Sequence, residues 1–301
     1  MSYLSPRQLQ VFVAIAEHGG VGAAAEALHL TQPAASMALA ELERLLDASL
    51  FARSHGRVHL NERGRELLPL ARDILERLDE FRRQAAGDLD GLRGELRLGA
   101  SNTVGNYLVG DLLGGFTQAH PQVAVRLEVD NTRGIVAAVR EHRLDVGCIE
   151  GAVVQPDLEV LPWRDDHLVV CARADHPLAG RRHLAAEDFA GVNWVMREHG
   201  SATRALCERA LASLPPARTV LELGQIEAIK QAVIAGLGLA CLPAVAVDDA
   251  VAAGRLAVLR TPFLDLGRRL SLVLAGDAYH GALVRAFVQA VSAATDASPA
   301  S

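Results

Sequence analysis

The chain has 301 residues, half of them hydrophobic, and a formal net charge of −6. That length predicts two or three domains with sizeable cores. No membrane-length apolar run and no basic leader followed by an apolar stretch occur, which predicts a cytoplasmic protein with no membrane partner. Cys148, Cys171, Cys207 and Cys241 lie far apart with no C-x-x-C pair, which argues against a metal, a cofactor cluster or a disulfide framework. The acidic balance excludes DNA binding by bulk positive charge. Residues 1–60 hold Arg7, Arg44, Arg53 and Arg57 against Glu17, Glu26, Glu41, Glu43 and Asp47. Any DNA contact must therefore come from geometry and a local basic edge.

A first helix is predicted from about Ser5 to His18, with Leu9, Phe12, Val13 and Ala16 at helical spacing and Gly19-Gly20 as its end. A short Ala-rich helix follows, about Val21 to Leu28, then the turn His29-Leu30. Thr31 is a good N-cap for the next helix, and Pro33 falls in its first turn, where a missing N–H costs little. Met37, Leu42, Leu45 and Leu46 are expected to face a core. Gln32 and Ser36, four apart, share the other face. This is helix-turn-helix geometry, in which the second helix puts its N-terminal side chains into the major groove. Residues 50–60 then read as a short β-hairpin, a wing turning at Gly56. Arg53 and Arg57 are set to meet backbone phosphates, with His55 and His59 beside them.

Asn61 caps a long predicted helix, about Glu62 to Ala86. Leu67, Ala71, Ile74, Leu78, Phe81 and Ala85 repeat at intervals of 4, 3, 4, 3 and 4, a heptad-like seam that wants a partner helix. A symmetric dimer through it would offer two recognition helices to a two-fold related DNA site. Gly87, Gly91 and Gly94 mark residues 87–94 as a hinge.

From Glu95 strands and helices alternate, which predicts an α/β body with mostly parallel sheets. Strands are expected near 95–100, 123–129, 145–149, 159–163, 167–172, 194–196, 220–223, 239–242 and 269–274. One helix is expected from Ser101 to about Gln118. Four strand-to-helix turns carry small polar residues: Ser101-Asn102-Thr103, Asn131-Thr132, Ser201-Ala202-Thr203 and Gly224-Gln225. Helix starts offer free N–H groups and a positive dipole end, so several aimed at one cleft would bind a small anion. Gly200 and Gly224 would allow close backbone approach, and Arg197 or Arg204 could add a guanidinium fork. Glu150 has two readings: a protonated hydrogen-bond donor to ligand, or a structural partner of Arg197.

The segment Leu30-Thr31-Gln32-Pro33-Ala34, with Gln8-Leu9, Phe12, Ala24-Ala25, Leu28, Ser36, Leu42-Glu43, Leu50-Phe51 and Arg53, resembles the winged helix-turn-helix of LysR-type transcriptional regulators. The later runs Gly-Ala-Ser-Asn-Thr, Val-Asp-Asn-Thr, Asp-Val-Gly-Cys-Ile-Glu-Gly and Arg-Glu-His-Gly-Ser-Ala-Thr-Arg look like the branch regulating sulfur assimilation or carbon fixation. Gly20, Gly22 and Ala23 stand where that family often has polar residues, and Ala202 where glycine is more usual. The resemblance implies a DNA-binding domain over 1–61, a linker helix over 62–86 and a hinge over 87–94. It implies an effector-binding domain over 95–301, resembling periplasmic binding proteins, with one subdomain about 95–165 and 267–301 and another about 166–266. It implies a regulator, not an enzyme, that binds an interrupted palindrome in double-stranded DNA, assembles from homodimer to homotetramer and contacts RNA polymerase. Its DNA-binding residues would be Thr31, Gln32, Pro33, Ser36, Arg53 and Arg57. A sulfite- or sulfate-like anion or a phosphorylated metabolite would meet Ser101, Asn102, Thr103, Asn131, Thr132, Glu150, Arg197, Gly200, Ser201, Thr203, Gly224 and Gln225. The alternatives are a redox-sensing regulator acting through Cys207, and a cytoplasmic enzyme or solute-binding protein using the same α/β cleft.

Overall fold

The computed structural model describes residues 3–54, 57–85, 92–151, 153, 155–276 and 278–296. The chain divides into two compact units, Met1–Gly91 with Ala278–Ala282, and Leu92–Asp277 with Leu283–Ser301.

In the first unit, α1 (Pro6–His18) starts on a reciprocal cap. Ser5 Oγ accepts the Gln8 N–H at 3.3 Å, and Gln8 Oε1 accepts the Ser5 N–H at 2.8 Å. Gly19, in the left-handed region at φ 71°, ends it. Helix α2 (Val21–Ala27) has Gly20 before it and no side-chain cap. His29, at φ 53°, makes the turn into α3 (Gln32–Leu46). Strands β1 (Phe51–Ser54) and β2 (Arg57–Leu60) pair antiparallel, Phe51 opposite Leu60. Asn61 Oδ1 accepts the Gly64 N–H at 2.8 Å and opens α4 (Glu62–Ala85).

The buried face of α3 includes Leu42 and Leu46, as expected, but not Met37. Ala35 and Leu42 are buried and Ala38, Leu39 and Leu46 pack beside them, while Met37 is 73% exposed. Alanines let α3 approach α1 and α2 closely, so the inner face follows their spacing and the larger Met37 is left outside. The seam of α4 also divides. Ala71 is buried with Leu9, Phe12, Leu42, Leu50 and the non-seam Leu68, and Leu67 packs beside them, whereas the seam residues Ile74 and Phe81, and Leu70 outside the seam, are exposed. The hinge residues 87–91 lie outside the described residues.

The second unit begins with β3 (Gly94–Ser101), α5 (Asn102–Tyr107), α6 (Val109–Ala119), β4 (Val123–Asp130), α7 (Thr132–Arg140) and β5 (Val146–Glu150). The single helix expected after Ser101 is broken. Leu108 leaves helical geometry at φ −119° and is buried, so the chain turns there. Strand β6 (Leu158–Arg173) then runs unbroken for 16 residues where two strands were expected. Its first part pairs with β11 (Gly267–Ala275) and its last part with β9 (Ala240–Pro243) and β10 (Leu256–Leu259), so it crosses between two sets of neighbours without interruption. Next come β7 (Asn193–Arg197), α8 (Ala202–Leu211), β8 (Arg218–Leu223), α9 (Ile226–Ile234), β9 (Ala240–Pro243) and α10 (Ala244–Ala252). Strands β10 (Leu256–Leu259) and β11 (Gly267–Ala275) and helix α11 (Ala282–Asp296) finish the chain.

The sheets are mixed rather than mostly parallel. β3 runs parallel to β4 and β5, and β7 parallel to β8. β11 is antiparallel to β5 and β6, and β6 to β9 and β10. A chain that crosses on one strand and returns on its neighbour must run antiparallel there. Leu96, Leu98, Phe116, Trp163, Leu272 and Phe287 anchor one core, and Leu168, Val170, Phe189, Trp194, Leu206 and Leu239 another. The crossing, where Asp166 faces Arg268 and His167 faces Gly267, lies between them in the chain.

Candidate functional site

Two candidate sites emerge, one in each unit. In the first, Thr31 Oγ1 accepts the Ala34 N–H at 3.3 Å and starts α3. Gln32, Pro33 and Ser36 are exposed on its first turns, with Met37 beside them. A thioether on that face adds an apolar surface suited to a thymine methyl group. Its hydrophobicity hid it, because the sequence pattern assigned it to the core. The backbone of Arg53 pairs with Val58. The side chains of Arg53 and Arg57, and His55 and Gly56 entirely, lie outside the described residues.

The second site is a cleft of about 480 Å³ in the α/β unit, lined among others by Thr132, Arg133, Glu150, Gly200, Ser201 and Arg268. Helix α7 starts at Asn131, whose Oδ1 accepts the Gly134 N–H at 3.1 Å. Helix α8 starts at Ser201, whose Oγ accepts the Arg204 N–H at 3.4 Å. The two starts touch: Arg133 N–H donates to Gly200 O at 3.2 Å. Gly200 is required here. Its φ is 99°, and a Cβ would lie 3.2 Å from Asn131 Oδ1 and 3.3 Å from Arg133 Cβ.

Behind that contact lies a buried charge network. Glu150, 3% exposed, accepts the Thr103 N–H at 3.1 Å and the Thr132 hydroxyl at 3.0 Å. Arg268 Nη2 stands 4.0 Å from Glu150 and donates to Thr103 Oγ1 at 3.0 Å. Its Nη1 donates to Thr203 Oγ1 at 2.9 Å and its Nε to Asp166 at 2.6 Å. One guanidinium thus joins the starts of α5 and α8 to the crossing strand. Burial alone would raise the Glu150 carboxyl. The charge of Arg268, then the Ser101 hydroxyl and the Thr103 hydrogen bonds, outweigh it and hold the group below the usual glutamate range.

This overturns both readings of Glu150. It is ionised rather than a protonated donor, and its cation is Arg268 rather than Arg197. Arg197 instead makes a two-pronged pair with Glu198, both contacts 2.7 Å. Arg204 is engaged by Glu208 at 2.8 Å, by Glu222 at 2.5 Å and by the Arg197 carbonyl at 2.7 Å. Neither therefore offers an open fork. Arg133 and Arg209, which also line the cleft, pair with no carboxylate among the described residues.

The remaining predicted residues divide. Ser101 is buried and its Oγ has no well-formed hydrogen bond. Asn102 is used structurally, Nδ2 donating to Asp130 O at 3.3 Å. Gly224 and Gln225 are exposed at the start of α9 and do not line the cleft. Near them Tyr107 of α5 bonds Glu227 of α9, which also pairs with Lys230 at 2.8 Å. Arg268 and Asp166 were missed by sequence reasoning. The available signal was two acidic residues, Asp165-Asp166, and two basic ones, Arg268-Arg269, at the points where the chain crosses and returns.

All four cysteines are buried. Burial pushes the Cys171 thiol up to about 12, and Cys207 packs 3.7 Å from Met196 Sδ. Among the described residues no group of three or more His, Cys, Asp or Glu could hold a metal ion, and no helix is long and apolar enough to cross a membrane.

Residues 6–65 match the family model for the bacterial regulatory helix-turn-helix protein, lysR family, and residues 89–296 match the LysR substrate binding domain. The uncharacterized HTH-type transcriptional regulator YeiE of Escherichia coli K12 is 37% identical over 269 residues, 89% of this chain and 90% of that one. The RuBisCO operon transcriptional regulator of Allochromatium vinosum is 38% identical over 239 residues, 79% of this chain and 78% of that one. Among solved structures, the regulatory domain of Synechocystis CcmR in complex with 2-PG is 30% identical, with a TM-score of 0.64. It covers 69% of this chain and 100% of that one.

Proposed function

The chain belongs to the LysR family of DNA-binding transcriptional regulators, and from that premise we propose that its cleft takes a small phosphorylated carboxylate or a related oxyanion and so sets how the chain engages its operator. The observation that carries this is the charge lining the cleft. Four arginines, Arg133, Arg204, Arg209 and Arg268, face two carboxylates, Glu150 and Glu208. Since Glu150 is held by Arg268 and Glu208 by Arg204, Arg133 and Arg209 remain to meet a ligand, with the Thr132 and Ser201 hydroxyls beside them. Guanidinium groups recognise phosphate and carboxylate by paired hydrogen bonds. The likeness to a domain complexed with 2-PG supports a phosphorylated metabolite over sulfite or sulfate.

On this reading residues 1–61 bind DNA, 62–86 form the linker helix, 87–94 the hinge and 95–301 the effector-binding domain. Thr31 sets α3, while Gln32, Pro33, Ser36, Arg53 and Arg57 meet the duplex. The exposed Leu70, Ile74 and Phe81 of α4 supply an apolar face for a homodimer that pairs again into a tetramer. The assembly works in the cytoplasm, where its operator is, and contacts RNA polymerase from the bound site. An effector that binds two arrangements of the dimer unequally shifts the balance between them.

The test is a thermal-shift panel of 2-phosphoglycolate, phosphate, sulfate and sulfite on the full chain. A ligand that binds only the folded state raises Tm by mass action. A rise selective for 2-phosphoglycolate and lost in Arg133→Ala/Arg209→Ala is expected. No rise with any of the four, or a rise untouched by the double substitution, refutes the reading.

A further inference from the structure

Residues 32–40 of α3 include no arginine, lysine, aspartate or glutamate. Glu41, Glu43 and Arg44 come after them, and Arg44 is bonded to Glu41 at 2.7 and 2.6 Å. Within the uncharged stretch Met37 is 73% exposed. At 3.6 residues per turn it lies about 140–160° around the axis from Leu42 and Ala35, the residues that α3 buries. Pro33, one turn back, and Ala40, one turn on, are exposed on the same side. A single exposed apolar residue is ordinary on a protein surface. One on the outer face of the second helix of a helix-turn-helix is set against a defined group of atoms, the base edges of the major groove.

We propose that Met37 is a specificity residue that reads a thymine, its thioether and terminal methyl packing on the 5-methyl group of that base. The inference rests on the reading of α3 as the helix that enters the groove. Base edges there present hydrogen-bond donors, acceptors and one kind of apolar group, the thymine methyl. A thioether is a weak acceptor with no proton to donate, so it gives the polar edges nothing in exchange for their water. Contact with the methyl group instead takes apolar surface out of water on both partners. Unbranched and with three rotatable bonds, the Met37 side chain reaches that group without strain. The rest of the helix face leaves it room. Gln32 can pair with adenine N6 and N7 and Ser36 with either kind of polar edge. Residues 32–40 hold no cation to read guanine and no carboxylate to read cytosine.

The test selects duplexes from a random-sequence pool with the full chain. The selected duplex is then remade with deoxyuridine in place of thymidine, one position at a time within one half-site. That exchange removes the 5-methyl group and leaves the hydrogen-bonding edges unchanged. In the parent chain one position should lose about fourfold in affinity, the effect of one buried methyl group. Met37→Ala should bind the thymine and uracil duplexes equally at that position and keep the parent's preferences at the others. Its Tm should match the parent's, because the side chain is exposed and alanine favours a helix. Parent binding indifferent to uracil at every position, or an undiminished uracil penalty in Met37→Ala, overturns the proposal and leaves α3 as the reading helix. A pool from which nothing is enriched overturns that reading as well.

Discussion

Replacing Arg268 with methionine removes the one cation paired with the buried Glu150 among the described residues. The guanidinium is 3% exposed and gives up hydrogen bonds to Thr103, Thr203 and Asp166 together with its attraction to Glu150. Methionine fills most of the volume, so the loss is electrostatic rather than a cavity. Leaving a buried charge unpaired costs about 3–5 kcal/mol. For a unit of this size each kcal/mol moves Tm by about 2–4 °C, so a fall of roughly 10 °C is expected at neutral pH. The pH dependence gives a second, signed check. In the parent chain the Glu150 pKa lies below its ordinary value. Its stabilising contribution is therefore present above the ordinary carboxylate range and is lost as pH falls through the lowered pKa. In Arg268→Met burial is opposed by hydrogen bonds alone, without a cation, and the pKa moves upward, so the variant's deficit must shrink as pH falls from 7.5 to 5. Adding Glu150→Gln should recover part of the loss, because an amide carries no charge to strand. Thermal unfolding of parent, single and double variants at the two pH values measures all of this. A single variant within about 1 °C of the parent, or a deficit that grows toward pH 5, would refute the network.

Four further outcomes follow from particular contacts. Thr31→Ala removes the cap on Ala34 N–H and should lower stability by about 1 kcal/mol in urea unfolding. Gln32→Ala or Ser36→Ala should relax operator discrimination by about 1–3 kcal/mol at a contacted base pair. Footprints with unaltered preference would remove those residues from the interface. Gly64→Ala would overlap the Leu50 carbonyl oxygen and come within 2.9 Å of Leu60, so it should cost about 3 kcal/mol. The buried thiols should resist a thiol reagent in the native chain, and all four should react in denaturant; rapid native labelling of Cys207 would instead favour redox sensing.

The local caps that frame the cleft were legible in the sequence. The helix starts at Asn131 and Ser201 were visible because a short polar residue before an apolar-periodic run caps locally. The touching of Gly200 and Arg133 was not, since it depends on two loops far apart in sequence. Reading Met37 as core failed for a related reason. Hydrophobicity alone cannot say whether alanine or methionine takes the inner face of a helix; that depends on how closely the neighbouring helices approach. Arg197 was the nearest cation to Glu150 by motif, but its neighbour Glu198 captured it.

By itself, the sequence determined the helix-turn-helix, the wing, the long helix, the α/β alternation and the family, because each rests on local periodicity, capping chemistry or residue motif. Only the tertiary structure decided that β6 and β11 lie side by side, so that Asp166 meets Arg268 across 102 residues and one guanidinium joins Thr103, Thr203 and Glu150. It also decided which of the cleft's arginines pair with internal carboxylates and which have no carboxylate partner among the described residues. The physical reason is that charges pair with what folding brings within a few ångströms of them, and that distance is set by strand order rather than by spacing along the chain.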